Sequence, residues 1–208
     1  MTVKRLLDGY RQFRDNQFQK DKGLYQKLAS EGQSPAVMII SCCDSRVDPA
    51  IVLNADAGSI FAVRNVANLV PPARPDGDYH GTSAALEFAV RHLEVEHIIV
   101  MGHAQCGGVK ALYEDLQTGA DFIIPWMNIV TEACSHVREH SAHKSHGEQL
   151  QDMEQEAIRV SLNNLLTFPW IRERVEQDRL KLYGWYFDFE TCNLSTLDQT
   201  TGAFAPVD

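Results

Sequence analysis

Apolar runs too short for helices alternate with helical patterns along the first half of the chain. The run AVMIIS at 36–41 lacks polar alternation, as expected for a strand buried on both faces. Two similar runs are SIFAVR at 59–64 and HIIVMG at 97–102, and a helical spacing from 82 to 93 separates them. This order predicts an α/β fold with a central, mainly parallel β-sheet flanked by helices.

Both ends of the chain also carry regular patterns. Apolar side chains spaced three and four apart predict two short helices over 3–28, with a break between Asp21 and Gly23. Three further helices are predicted near Val109, over 122–135 and over 147–167, and a closing strand, LKLYGWYFDF, over 180–189. We therefore expect one domain over residues 1–208, in which residues 1–30 form a helical arm.

Composition and charge narrow the classes of function. The 208 residues are 44% hydrophobic and 23% charged, and no apolar run approaches the roughly 20 residues that span a bilayer. The amino terminus lacks the apolar core and cleavage site of a secretory signal, so we expect a cytoplasmic protein without a membrane role. A formal charge of −9 argues against nucleic-acid binding, because a phosphate backbone attracts clustered Lys and Arg.

Chemically active side chains directly follow two of the predicted strands. Cys42, Asp44 and Arg46 follow the first strand, and His103 and Cys106 follow the third. The carboxyl ends of parallel strands meet at one edge of a sheet, where ligands gather. Two thiolates and one imidazole supply three zinc ligands, and an open fourth position is the arrangement of catalytic rather than structural zinc.

Asp44 is the side chain that could fill the fourth position. Zn²⁺ with two thiolates and a neutral imidazole carries no net charge, so an added carboxylate would make the site anionic and a poorer Lewis acid. Arg46 is spaced to hold Asp44 away in a bidentate pair. A water at the free position would be acidified toward neutral pH, so we expect activity to rise above neutral pH.

These five residues, with RNVANLV at 64–70, resemble the β-class carbonic anhydrases from about Gln33 to Val109. The resemblance implies a zinc hydroxide that attacks CO2 to give bicarbonate, with Asp44 accepting its hydrogen bond and Arg46 orienting Asp44. It also implies self-association as a dimer, with active sites at the subunit interface, or as a tetramer. The helical arm is then expected to pack on a partner subunit.

The resemblance also assigns a substrate pocket. Gln33 occupies the position, nine residues before the first zinc cysteine, that donates a hydrogen bond to substrate in the family. Apolar positions carried over to the CO2 pocket are Phe61, Val66 and Phe88. Gly107 and Gly108 follow the ligand cysteine, where backbone amides at a helix start can closely approach an anion such as bicarbonate. Phe88 is often Tyr in the family, so a role for a hydroxyl there is lost.

Some members of the family hold an inhibitory bicarbonate between a Trp, a Gly and an Arg. The corresponding residues here are Ile39, Ser41 and Arg64. The missing Trp and Gly predict that this chain lacks the bicarbonate switch and rests with Asp44 off the zinc.

Other interpretations remain open on sequence grounds. The chain could be a noncatalytic CO2 or bicarbonate sensor, a protein with purely structural zinc, or a hydrolase of a related molecule such as carbon disulfide. A Rossmann dinucleotide site is disfavoured because no G-x-G-x-x-G follows the first strand. Cys43 is predicted to be a packed bystander, and the histidine-rich segment His136–His146 a solvated helix end and loop.

Overall fold

A six-stranded sheet forms the centre of the computed structural model, which describes residues 2–115 and 121–207. The order of the strands is β2-β1-β3-β4-β5-β6. They are β1 (Val37–Cys42), β2 (Ile60–Asn65), β3 (His97–His103), β4 (Lys181–Asp188), β5 (Asn193–Leu197) and β6 (Phe204–Pro206). The first four strands pair in parallel and the last two antiparallel, which confirms the predicted mainly parallel sheet.

Helices lie on both faces of this sheet. Within the described ranges they are α1 (Val3–Gln12), α2 (Phe18–Lys20), α3 (Lys22–Glu31), α4 (Pro49–Val52), α5 (Gly81–Glu87), α6 (Gly107–Tyr113), α7 (Ile123–Met127), α8 (Thr131–His140), α9 (His146–Leu165) and α10 (Pro169–Glu176). Two π-helical stretches, Phe13–Gln17 and Phe88–His92, continue α1 and α5, and short 3₁₀ turns lie at Val66–Asn68 and Asn128–Val130. None of the described helices is long and apolar enough to cross a lipid bilayer.

Side chains of the central strands alternate between two apolar layers. Along β1, Met38 and Ile40 face one layer and Ile39 faces the other, because successive side chains of a strand point to opposite faces. β1 and β3 each have a strand on both sides and helices on both faces. Their continuous apolar sequences follow from that position.

Two glycines let the long helix α9 approach the sheet closely. A Cβ atom at Gly102 of β3 would lie 2.7 Å from Ile158 Cδ1, and one at Gly184 of β4 would lie 2.9 Å from Ile158 Cγ2. Both distances are shorter than real Cβ contacts, so larger residues would push the helix outward. α9 is thereby held closely against β3 and β4.

The amino-terminal arm stands apart from this core. The predicted break falls at Asp21, between α2 and α3, and no residue in α1, α2 or α3 is buried. Apolar side chains of α1 and the turn after it are 40–74% exposed: Val3, Leu6, Leu7, Tyr10 and Phe13. The arm therefore presents an apolar face that its own chain leaves uncovered.

Candidate metal centre

Three buried side chains converge where β1 and β3 end. Cys42 is the last residue of β1, His103 is the last of β3, and Cys106 precedes the first turn of α6. The two sulfur atoms are 4.0 Å apart, and one ligand atom from each residue lies within 4.8 Å of the others. Of the residues that the structure describes, these form the one group of three or more with metal-binding geometry.

The histidine is oriented as a metal ligand. Nδ1 of His103 is 2.8 Å from the carbonyl oxygen of Ala104, a partner that requires Nδ1 to carry the proton. Nε2 is then left as an acceptor, and among residues 2–115 and 121–207 this buried atom has no hydrogen-bond partner. An orphaned imidazole nitrogen beside two buried sulfurs fits a zinc ion.

The Cys42 and Cys106 thiols shift each other's pKa. Hydrogen bonding from the Cys106 thiol lowers the pKa of Cys42 to about 4, and the neighbouring Cys42 thiolate together with burial raises the pKa of Cys106. The pair therefore keeps one proton in the metal-free chain. A divalent cation favours two thiolates, so binding it would release that proton.

Arg46 holds both oxygens of the Asp44 carboxylate. The Oδ1 of Asp44 accepts from the backbone N–H and the Nε of Arg46, each at 2.9 Å, and its Oδ2 accepts from Nη2 at 2.7 Å. These bonds hold the pKa of the Asp44 carboxyl well below its usual range. The carboxylate is thus ionised and directed to the guanidinium, as the alternate spacing predicts.

Two further contacts, which the sequence pattern does not predict, fix the Arg46 guanidinium. Arg46 Nη2 also donates to the carbonyl of Gln105 at 3.0 Å, and the guanidinium carbon lies 4.3 Å from the ring centroid of Phe189. Phe189 directly follows β4, so the fourth parallel strand also contributes to this edge of the sheet. Its ring is 6.3 Å from that of His103. Arg46 is therefore held from three sides.

Comparison with known proteins agrees with this geometry. A model of the carbonic anhydrase family matches residues 37–194, most of the chain. The chain belongs to the β-carbonic anhydrases. It is 40% identical over 212 residues to β carbonic anhydrase 3 of Arabidopsis thaliana, which covers 98% of this chain and 81% of that protein.

Solved structures carry the same fold. The β-carbonic anhydrase CcaA superposes with a TM-score of 0.92 at 31% identity, covering 99% of this chain and 92% of that one. One of two tetrameric β-carbonic anhydrases of Sordaria macrospora gives a TM-score of 0.80 at 27% identity, with 97% of each chain covered. This carbonic anhydrase is therefore a zinc lyase that interconverts CO2 and bicarbonate, not a noncatalytic sensor.

Arg64 of the carbonic anhydrase stabilises the end of β1 and the loop that follows it. It donates to the carbonyls of Cys42 at 2.9 Å and Asp44 at 2.7 Å, and pairs with the Asp48 carboxylate at 2.7 Å. These bonds fix the last residue of β1 and the loop that follows it. Arg64 therefore stabilises the backbone at Cys42 and Asp44.

Only part of the predicted substrate pocket lies near the metal ligands. Val66 touches the first turn of α6, since a Cβ atom at Gly108 would be 2.8 Å from Val66 Cγ1, whereas one at Gly107 would meet nothing within 4 Å. The indole N–H of Trp126 donates to the Val66 carbonyl at 2.8 Å and fixes this loop. Val66, Gly107 and Gly108 thus border the metal centre.

Gln33, Phe61 and Phe88 lie at the opposite end of the sheet. Phe61 pairs with Met38, four residues before Cys42, so it is ~13 Å from the metal edge along the strand. The Phe88 ring is 5.9 Å from that of Phe61, and the exposed Gln33 precedes the start of β1. One chain does not bring these three residues to its own metal ligands.

Two secondary expectations have different outcomes. Cys43 is exposed rather than packed, because the side chain after the buried Cys42 points to the outer side of the strand end. That part of the prediction is wrong, although its premise of opposite directions holds. His136 and His140 lie on α8, are both exposed and stack at 4.0 Å, as expected for a solvated helix end.

Proposed function

We propose that Asp44 and Arg46 are the catalytic pair for reversible CO2 hydration, with zinc held by Cys42, His103 and Cys106. The observation that carries this assignment is the bidentate pair beside three converging buried ligands. When bound, zinc supplies the Lewis acidity that makes water a nucleophile near neutral pH. The protein side chains then orient the reactants and limit the charge at the metal.

Asp44 serves as a fixed hydrogen-bond acceptor. It is ionised at neutral pH and has no proton to donate, so toward the attacking water it acts only as a hydrogen-bond acceptor, which orients that molecule's lone pair toward CO2. Arg46 keeps the carboxylate from rotating to the metal. This arrangement, with Arg64 engaged in the loop, supports a resting state with Asp44 off the zinc and no bicarbonate switch.

We infer that two chains build each substrate pocket. Val66, Gly107 and Gly108 come from the chain that holds the metal, and Gln33, Phe61 and Phe88 come from a second copy. The separation of ~13 Å within one chain supports this division. Phe88 is 45% exposed, which leaves it free to enter another copy's pocket. An apolar wall suits CO2, which offers little polarity for hydrogen bonds.

Self-association follows from the same inference. The uncovered apolar face of α1 supports an arm that packs on a second copy, where burial of these side chains would stabilise the assembly. The minimum assembly is a dimer, and the Sordaria relatives are tetrameric. All five cysteines are free thiols, which supports a reducing, cytoplasmic location. No nucleic-acid or membrane partner is proposed.

Complementation between two inactive variants tests the pocket. Asp44→Asn and Gln33→Ala are each expected to reduce stopped-flow CO2 hydration strongly in separate preparations. In a mixed dimer, one of the two sites carries an intact Asp44 and an intact Gln33. Random mixing would then restore about a quarter of wild-type sites, because half of the dimers are mixed. No recovery in verified mixed dimers would place Gln33 and Asp44 in sites of the same chain.

The substrate assignment has its own control. Wild-type protein with one zinc per chain should hydrate CO2 rapidly, with a rate that rises above neutral pH. Zinc-loaded protein that is inert toward CO2 but hydrolyses carbon disulfide would overturn the proposed substrate. The Asp44→Asn variant should retain zinc, so its loss of rate reports on catalysis and not on metal binding.

A further inference from the structure

A buried carboxylate lies directly behind the metal loop. Glu154 of α9 is 5% exposed, and its Oε1 accepts the backbone N–H of Cys106 at 2.8 Å. Its Oε2 accepts the hydroxyl of the buried Tyr186 of β4, also at 2.8 Å. Both oxygens are therefore directed inward, one to a metal ligand's backbone and one to the sheet.

Burial of the Glu154 carboxylate is energetically unfavourable. Burial raises the pKa of Glu154, since the charged form loses its hydration. Ile158, one turn further along α9, packs tightly on Gly102 and Gly184. This face of the helix therefore makes apolar contacts at the next turn. Packing would favour an apolar residue at 154 as well, so the carboxylate needs another explanation.

Cys106 is the ligand with the least support from the sheet. Cys42 and His103 are the last residues of strands, and each is still paired with a neighbouring strand. Cys106 lies past a turn in which Gln105 has φ of 54°, and it precedes two glycines. Its own N–H donates to Glu154, which connects the start of α6 to α9 and, through Tyr186, to β4.

We propose that Glu154 is a positioning residue for the metal: it accepts the Cys106 amide while Tyr186 holds its second oxygen, which fixes the third ligand sulfur for zinc. Outer partners of this kind orient ligands, and their loss typically weakens metal binding by about 10- to 100-fold. The carboxylate links α9, β4 and the metal loop in one chain of hydrogen bonds. It acts on zinc retention through Cys106 and does not touch substrate.

The test measures zinc release from the zinc-loaded enzyme into a colorimetric chelator. Glu154→Leu, which removes both acceptor oxygens at similar volume, is expected to accelerate release by about 10-fold or more. Glu154→Gln keeps an acceptor for the Cys106 amide and should stay within a few-fold of wild type. Glu154→Asp is too short to reach both partners, so its rate of zinc release should lie between those of the Leu and Gln variants. It also provides a test if the Leu variant does not fold.

Two controls separate positioning from general stability. Ile158→Ala lies one turn away on the same helix face and weakens the core without touching the Cys106 amide, so its zinc release should stay near wild type. In cobalt-substituted protein, Glu154→Leu should alter the thiolate-to-metal absorption bands, and Ile158→Ala should not. The proposal is overturned if Glu154→Leu retains zinc like wild type, or if Ile158→Ala releases it equally fast.

The inference rests on the proposed ligand Cys106, and Cys106→Ser tests that premise separately. Loss of zinc from this variant supports the ligand set. If Cys106→Ser instead keeps one tightly bound zinc per chain, the ligand assignment itself fails, and the role of Glu154 fails with it for a distinguishable reason.

Discussion

The two adjacent glycines after Cys106 provide a matched pair of substitutions. Gly107 and Gly108 both lie in the first turn of α6, yet a Cβ atom at Gly107 would meet nothing within 4 Å. At Gly108 it would lie 2.8 Å from Val66 Cγ1 and 3.3 Å from Ala67 Cβ, whereas ordinary contacts begin at 3.4 Å. Gly108→Ala should therefore force α6 and the loop of Val66 apart, and Gly107→Ala should not.

The magnitudes follow from two opposing effects. Replacing glycine by alanine in a helix stabilises it by up to about 1 kcal/mol, and this gain is similar at both positions. Overpacking a rigid contact costs typically about 1–3 kcal/mol. Because the helix gain cancels in the comparison, Gly108→Ala should be less stable than Gly107→Ala by about 1–3 kcal/mol.

Urea unfolding at equal protein and zinc concentrations measures this difference. Zinc and self-association both favour the folded state, so unequal concentrations would obscure it. Sedimentation of each variant checks that the oligomer is unchanged. Equal stability of the two variants would contradict this prediction, since it would mean that α6 and Val66 can move apart without loss of stability.

Three further tests concern the site. Cys43→Ser should retain one zinc per chain by metal analysis, because the exposed Cys43 is directed away from the ligands. Cys42→Ser should lose the zinc. Zinc loss from both variants would contradict this prediction. Arg46→Lys should lower kcat/KM at least about 10-fold in stopped-flow hydration, because lysine lacks the planar fork that holds the carboxylate; an unchanged rate would show that a point charge suffices. Phe189→Leu should remove about 0.5–1 kcal/mol of cation–π attraction to Arg46 and lower the rate a few-fold at constant zinc content; a full rate would mean that the ring is not needed.

The parts of the fold that sequence predicted best are those buried on both faces. β1 and β3 are continuous apolar runs because neighbouring strands and helices cover them completely. β5 (NLSTL) and β6 (FAP) escaped prediction. Their mixed sequences have no strong period, and they become strands by pairing in series from β4 to the outer edge of the sheet.

The metal centre was predictable for a related reason. Parallel strands place the residues that follow them at one edge, so Cys42 and His103 are brought together by topology alone. Phe189 and Glu154 were missed because their roles depend on tertiary contacts. Glu154 did leave a signal, since it lies one turn before Ile158 on the apolar stripe of α9, where a carboxylate is out of place.

The proposed two-chain pocket constrains how two copies of the chain would meet. The metal ligands lie at the carboxyl edge of the parallel strands, and Phe61 and Phe88 lie toward the amino edge. Two copies complete each other's sites when their sheets lie side by side and run in opposing directions, whereas a head-to-tail contact would complete only one site. A two-fold axis produces that arrangement and is isologous, so it completes both sites at once. Dissociation should therefore abolish both sites together. On dilution, activity per chain should fall in a single transition, in proportion to the fraction of chains that remain dimeric.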